Sequence, residues 1–298
     1  MFGVGEEFRR EALSVMDTMG LEESPLFLDV STFLERELSQ PIKLQVRFDA
    51  SFLAVVVRSL LPDLRSRLYA LLGSHSIDFP VASGCENIAR AFPHSEWGLK
   101  AAISGDLPHA KLSLERILTR EETLEALRIL DIPRGSALQA LEALEEMTGH
   151  SEVRRISLSP GKPIRVEIFA EHDPVPGGGA RIPGIFGAMT GLLEDADLLA
   201  LVEAERDLVH NGRQAFVLGL DSRGIRKGLK VEYANVPADV VGPLLHALTS
   251  APMFAERRLH IAQRLLAPST LDHLSVRLRA GRPAHITGYF ARSYVAVA

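Results

Sequence analysis

Ile42-Lys43-Leu44-Gln45-Val46-Arg47-Phe48-Asp49 alternates without a break between apolar and polar residues. Successive side chains of a β-strand point to opposite faces, so Ile42, Leu44, Val46 and Phe48 share one face and Lys43, Gln45, Arg47 and Asp49 the other. A helix would scatter the same residues around its axis, so the run reads as a half-buried strand.

The same division recurs along the chain. Lys111, Ser113 and Glu115 oppose Leu112 and Leu114, and Arg165, Glu167 and Phe169 oppose Ile164, Val166 and Ile168. Lys230 and Glu232 oppose Leu229 and Val231, and Arg277 and Arg279 oppose Val276 and Leu278. The runs come in pairs, at 42–49 with 52–58, 98–104 with 109–116, 153–159 with 163–170, 214–221 with 228–235, and 272–279 with 284–292. Ser104-Gly105-Asp106-Leu107-Pro108, Ser159-Pro160-Gly161-Lys162-Pro163, Asp221-Ser222-Arg223-Gly224 and Ala280-Gly281-Arg282-Pro283 supply the turns, which predicts five hairpins.

Between hairpins the apolar spacing lengthens to three or four, as in Leu124, Leu127 and Leu130, then Leu138, Leu141 and Leu144. That period predicts amphipathic helices in pairs. Pro62 with Asp63 suits a first helical turn, and Thr119 with Glu122 resembles a capping box. Pro174 to Arg181 reads as a loop, and the αα-ββ order continues on both sides of it, so residues 1–298 are expected to form a single domain.

Two architectures satisfy this pattern. In one, an open antiparallel sheet is covered by helices on one side and wetted on the other, and its charges are a solvated surface. In the other, ten strands close into a barrel with helices outside, and the polar rows meet in a central chamber. Basic side chains converging there would repel one another unless an anion offset them, and a diphosphate is a suitable one.

Composition limits the alternatives. Of 298 residues 46% are apolar and 24% charged, enough for a core. A net charge of −5, from 33 basic and 38 acidic residues, argues against a nucleic-acid surface. Cys85 is the single cysteine, which excludes an internal disulfide and fits a reducing cytoplasm. No run approaches the roughly 20 apolar residues of a membrane span. A barrel without open edges would by default be a monomer.

Gly161-Lys162-Pro163-Ile164-Arg165-Val166-Glu167-Ile168-Phe169-Ala170-Glu171 resembles a segment of the cyanobactin peptide prenyltransferases, which have the α-β-β-α prenyltransferase barrel. Pro25-Leu26-Phe27 with Asp29, Phe216-Val217-Leu218-Gly219-Leu220, and Ile286 with Tyr289 and Ser293 are similar to further segments of that family, in the same order. The resemblance implies a ten-stranded antiparallel β-barrel and transfer of a dimethylallyl group from dimethylallyl diphosphate to a peptide, a macrocyclic one included. It implies Mg2+ in many members, for which this chain carries no dedicated metal motif. Lys111, Arg165 and Arg58 fall on diphosphate-binding positions of the family, and strand alternation adds Lys230 and Arg277. Phe216 falls where the family's pocket floor sets chain length, and a ring there implies a five-carbon donor. Phe169, Phe216, Tyr233 and Tyr289 are the aromatic candidates for shielding the allyl cation.

The sequence also departs from the family. The first strand reads Lys43-Leu44-Gln45 where members carry a glutamate base, leaving Asp49, then Glu167 and Glu232, as candidate bases. Ser113 and Glu115 stand where active relatives carry histidine and arginine, which removes positive charge. A non-catalytic relative that binds a peptide or isoprenoid, and an aromatic small-molecule prenyltransferase, therefore stay open beside the peptide enzyme. His273 and the other histidines show no ligand spacing and read as surface or packing residues.

Overall fold

The computed structural model describes residues 4–19, 25–37, 42–47, 52–60, 67, 70–71, 73–75, 83–93, 95–102, 110–159, 164–172, 178–192, 198–203, 213–236, 238–247 and 271–292. These contain ten strands: β1 (Ile42–Arg47), β2 (Phe52–Leu60), β3 (Glu96–Ala102), β4 (Ala110–Leu118), β5 (Val153–Ser159), β6 (Arg165–His172), β7 (Gln214–Asp221), β8 (Gly224–Val236), β9 (Leu271–Arg279) and β10 (Arg282–Arg292). Each strand pairs antiparallel with its sequence neighbours. β10 also pairs with β1, setting Gln45 opposite Tyr289, so the sheet closes on itself. Closure removes the edges that an open sheet would leave exposed.

Helices α1 (Val4–Met19) and α2 (Pro25–Glu37) precede the first hairpin, and α3 (Ser83–Ala91) the second. The pair α4 (Arg120–Ile129) and α5 (Arg134–Thr148) precedes the third, and α6 (Ala238–Ala247) the fifth. The start of α4 is the capping box expected from Thr119 and Glu122: the Glu122 amide donates to Thr119 Oγ1 at 3.2 Å, and the Thr119 amide to Glu122 Oε2 at 3.0 Å. Pro133 caps α5 at its start, and Gly149 at φ 79° ends it in the left-handed conformation. Where Gly178 to Arg181 reads as loop, the chain forms a 3-10 turn followed by a π-helical turn at Pro183–Gly187. Pro62 and Asp63 lie outside the described residues. No described helix is long and apolar enough to cross a membrane.

Gly224 opens β8 at φ 117°, where a Cβ would stand 2.8 Å from Ser136 Oγ on α5. Only glycine brings the β7–β8 hairpin this close to the helical layer.

The apolar faces of the strands pack outward under the helices. Leu114, Ile156, Ile168, Leu218, Val231 and Val276 are each fully buried there. Phe216 belongs to this outer layer: its ring lies 5.3 Å from His172 and 5.4 Å from Phe186, which sits in the π-helical turn. Tyr233 is paired with Gln214, two residues from Phe216 on the same face of β7. Both aromatics therefore leave the expected prenyl pocket, because their strand parity is opposite to that of Lys230 and Glu232. Replacing Phe216 with Ala is expected to destabilise the fold by about 3–5 kcal/mol, as a buried ring lost from a packed core does. Urea denaturation measures this, and an unchanged midpoint would contradict the outer placement.

Candidate active site

The inward faces meet in a chamber whose wall follows from the register. Lys100 pairs with Lys111, Ser113 with Ser157, Arg155 with Phe169, and Ser157 with Glu167. Around the far side Glu167 pairs with Gly219, Val217 with Lys230, Ala215 with Glu232, and Lys230 with Arg277. Gly219 leaves room that the Arg226 side chain fills, its Cβ 3.5 Å from where a glycine Cβ would stand.

Two buried carboxylates organise the charges. Glu167 accepts from Lys111 Nζ at 2.6 Å and from the Arg277 guanidinium, and Lys230 Nζ stands 3.6 Å away. Glu232 accepts from Lys230 Nζ at 2.6 Å, from Arg155 at 3.1 Å, and hydrogen-bonds His273 Nε2 at 2.9 Å. Lys230 thus bridges the two clusters. Arg155 lies 3.7 Å and Lys230 Nζ 4.4 Å from the centroid of the Phe169 ring, so both clusters also meet at that aromatic. Ser113 and Ser157 join their hydroxyls at 2.8 Å.

Burial alone would raise the pKa of Glu167, but Arg277, Lys111 and Lys230 outweigh it and hold the group well below the usual carboxylate range. Glu232 is held down in the same way by Lys230, Arg155 and His273 against its own burial. Both stay ionised near neutrality, so neither carboxylate alone is an effective base there. Burial lowers Lys100 well below an ordinary lysine, helped by Lys111, Lys230 and Arg277. Lys111 falls to about 8, through burial and through Arg277 and Lys230, against the pull of Glu167.

At the hairpin end of the barrel, where β6, β8 and β10 begin, the basic character continues. Arg226 is lowered by burial and by the charges of Arg165 and Arg277. Arg279 falls to about 10 through burial and through Arg277, Arg226 and Arg282. The carboxylate of Asp221 stands 4.0 Å from Arg226.

Of the residues singled out in the sequence, Lys111, Glu167, Phe169, Lys230, Glu232 and Arg277 come together in the chamber. Arg165 is exposed at its hairpin end. Asp49 lies outside the described residues, and of Arg58 and Tyr289 only the backbone is described, in β2 and β10. Phe216 and Tyr233 face the helices. Lys100, Arg155, Arg226 and His273 join the site without having been singled out for it, and Arg279, on the polar face of β9 with Arg277, stands at its hairpin end. Strand alternation carried the signal for Arg155, in phase with Ser157 and Ser159, and for His273, in phase with Ser275 and Arg277. The reading of His273 as a surface or packing residue is corrected by its bond to Glu232.

The described residues contain no group of three His, Cys, Asp or Glu able to hold a metal ion. Glu167 and Glu232 are each already held by three basic groups, so the carboxylates present do not fit a resident Mg2+ site.

No protein-family model matches the chain, and no curated protein does. Solved structures match along nearly its whole length. A 6-dimethylallyltryptophan synthase from Micromonospora olivasterospora, in complex with DMASPP and Trp, is 14% identical with a TM-score of 0.69, covering 98% of each chain. A 5-dimethylallyl tryptophan synthase from Streptomyces coelicolor, also with DMASPP and Trp, is 14% identical with a TM-score of 0.64 over 96% of this chain and 94% of its own. The apo form of the prenyltransferase PriB is 15% identical with a TM-score of 0.66, over 99% and 96%. At such identity the likeness shows the fold, which this chain shares with all three.

Proposed function

We propose that the chain moves a dimethylallyl group from its diphosphate to the ring of an aromatic acceptor. The observation that carries this reading is the charge balance of the chamber. Lys100, Lys111, Arg155, Lys230 and Arg277 face Glu167 and Glu232, a cationic excess inside a protein whose net charge is −5. Cations concentrated in a water-poor site favour a compact polyanion. The three structures of the same fold supply the class of reaction, since two are dimethylallyl tryptophan synthases and the third a prenyltransferase.

In the reaction the allylic C–O bond breaks and its electron pair leaves with the diphosphate. Lys111, Lys230 and Arg277 stabilise the charge that develops on the leaving oxygen, with Lys100 beside them and Arg165 at the hairpin end. The allyl cation meets the apolar part of the wall, which is Phe169, Ala215 and Val217, all buried. These residues exclude water, which would otherwise capture the cation. Phe169 already has Arg155 and Lys230 over its ring, so exclusion is its principal role. An aromatic carbon of the acceptor then bonds to the cation, and the ring recovers its aromaticity by losing a proton. His273 is the group we assign to accept it, oriented by Glu232 through the 2.9 Å bond.

The acceptor separates two forms of this reading. The sequence resemblance implies a peptide, and the solved structures with an acceptor name Trp. Incubation with dimethylallyl diphosphate and a panel of free tryptophan, free tyrosine, and linear and cyclic peptides containing them tests both at once. A mass increase of one prenyl unit is expected on at least one member. Neither product nor diphosphate release across the panel would overturn the activity. A non-catalytic barrel that only binds an isoprenoid is the second reading, favoured by the three basic groups already engaged by Glu167, and binding of the donor without turnover would support it.

The lysines give a pH dependence of defined sign. Lys111, at about 8 with Lys100, Glu167, Lys230 and Arg277 around it, rises when a diphosphate approaches, because an anion favours the charged form. Below pH 8 it is already protonated and affinity is highest. Above pH 8 binding must take up a proton, so affinity falls as pH rises through that region. Calorimetry of diphosphate binding between pH 7 and pH 9.5 measures this; affinity rising with pH would contradict it.

A further inference from the structure

We infer that Glu167 is a resident counter-anion standing where the diphosphate must bind, so that the donor enters by exchanging ion pairs with it. The inference rests on the diphosphate reading proposed above and assigns Glu167 the part of a selectivity element within that site. Glu167 is 6% exposed as a residue, and its carboxylate projects from β6 among cations from three other strands: Lys111 on β4, Lys230 on β8 and Arg277 on β9. Lys111 and Arg277 donate to this carboxylate, and Lys230, which donates to Glu232, stands 3.6 Å from it. Without it they would repel one another in a site that excludes water. One carboxylate carries a single charge, however, and leaves the chamber cationic.

This arrangement discriminates by charge. A tethered carboxylate competes at the high effective concentration of an intramolecular group, so a free monoanion gains little by replacing it. An anion with two linked charged groups gains more than the carboxylate gives up. The displaced Glu167 retains company at the hairpin end, because Arg226 and Arg279 both lie within its electrostatic reach. Gly219, its partner in register on β7, has no side chain, and the Arg226 side chain lies in the room this leaves.

The test is binding of inorganic pyrophosphate and of inorganic phosphate to the wild-type chain, to Glu167→Gln and to Glu167→Asp, by calorimetry and by thermal shift. Glu167→Gln is expected to bind pyrophosphate at least about tenfold more tightly than wild type, the scale of one charge-assisted hydrogen bond no longer contested. It should also acquire measurable affinity for phosphate, and pyrophosphate should raise its melting temperature more than that of wild type. If Glu167→Gln folds only when pyrophosphate is present, the exchange is supported. If it does not fold at all, Glu167→Asp, which keeps the charge but withdraws it from Lys230, must bind more tightly than wild type. Equal or weaker binding by the folded variant, with wild type still binding, overturns the inference and leaves the prenyl-transfer reading standing. Absence of binding in every form overturns both.

Discussion

Lys230→Met is expected to lower prenyl transfer roughly 100- to 1,000-fold and to lower stability with it. Lys230 touches both clusters, donating to Glu232 at 2.6 Å, standing 3.6 Å from Glu167, and lying 4.4 Å from the Phe169 centroid. Methionine fills a similar volume without the charge. Glu232 then keeps Arg155 and His273, and Glu167 keeps Lys111 and Arg277. Removing one partner of a buried ion pair costs about 3–5 kcal/mol, and loss of one preset donor to a developing anion costs roughly 100- to 1,000-fold in turnover. Chemical denaturation reads the first effect and single-turnover kinetics with dimethylallyl diphosphate the second. A variant as stable and as active as wild type would show that Lys230 is a spectator. A stable variant with lost turnover would place its whole contribution on the leaving group.

The second large effect is expected at His273. Its Nε2 is 2.9 Å from Glu232 Oε2, and the carboxylate in turn is held by Lys230 and Arg155, so the imidazole is fixed from behind. His273→Gln is expected to lower kcat by about 100- to 10,000-fold, the usual contribution of a positioned proton acceptor, with little change in donor affinity. Glu232→Gln should also lower kcat, but less than His273→Gln does, because it removes the group that orients the ring and leaves the ring itself. Activity of His273→Gln within about threefold of wild type would remove His273 from the chemistry.

Alternation sets Lys111, Glu167, Lys230, Glu232 and Arg277 each in phase with other polar residues on an amphipathic strand, and Lys111 also falls on a diphosphate position of the family the sequence resembles. Resemblance suggests Phe216 and ring chemistry suggests Tyr233 for the prenyl pocket, but strand parity opposes both: Tyr233 is out of phase with Glu232, one residue before it. The apolar wall is instead Phe169 with Ala215 and Val217, small residues that carry no composition signal. His273 lacks ligand spacing along the chain, but it stands two residues from Ser275 and four from Arg277 on one strand face.

The division of labour follows the range of the forces involved. Which residues form strands, where the chain turns, which face of each strand is polar and where α4 begins are decided within a few residues, by backbone geometry, side-chain alternation and capping. Those were present in the linear order. Whether the polar rows face bulk water or one another is decided by pairing β10 with β1, which joins residues far apart in sequence and sums the twist and stagger of every intervening pair. Glu167 meets Lys111 across 56 positions and Arg277 across 110. No local rule specifies such a meeting; the tertiary structure alone placed one carboxylate among three cations, because closure of the barrel converts rows of surface charge into a buried, mutually dependent set.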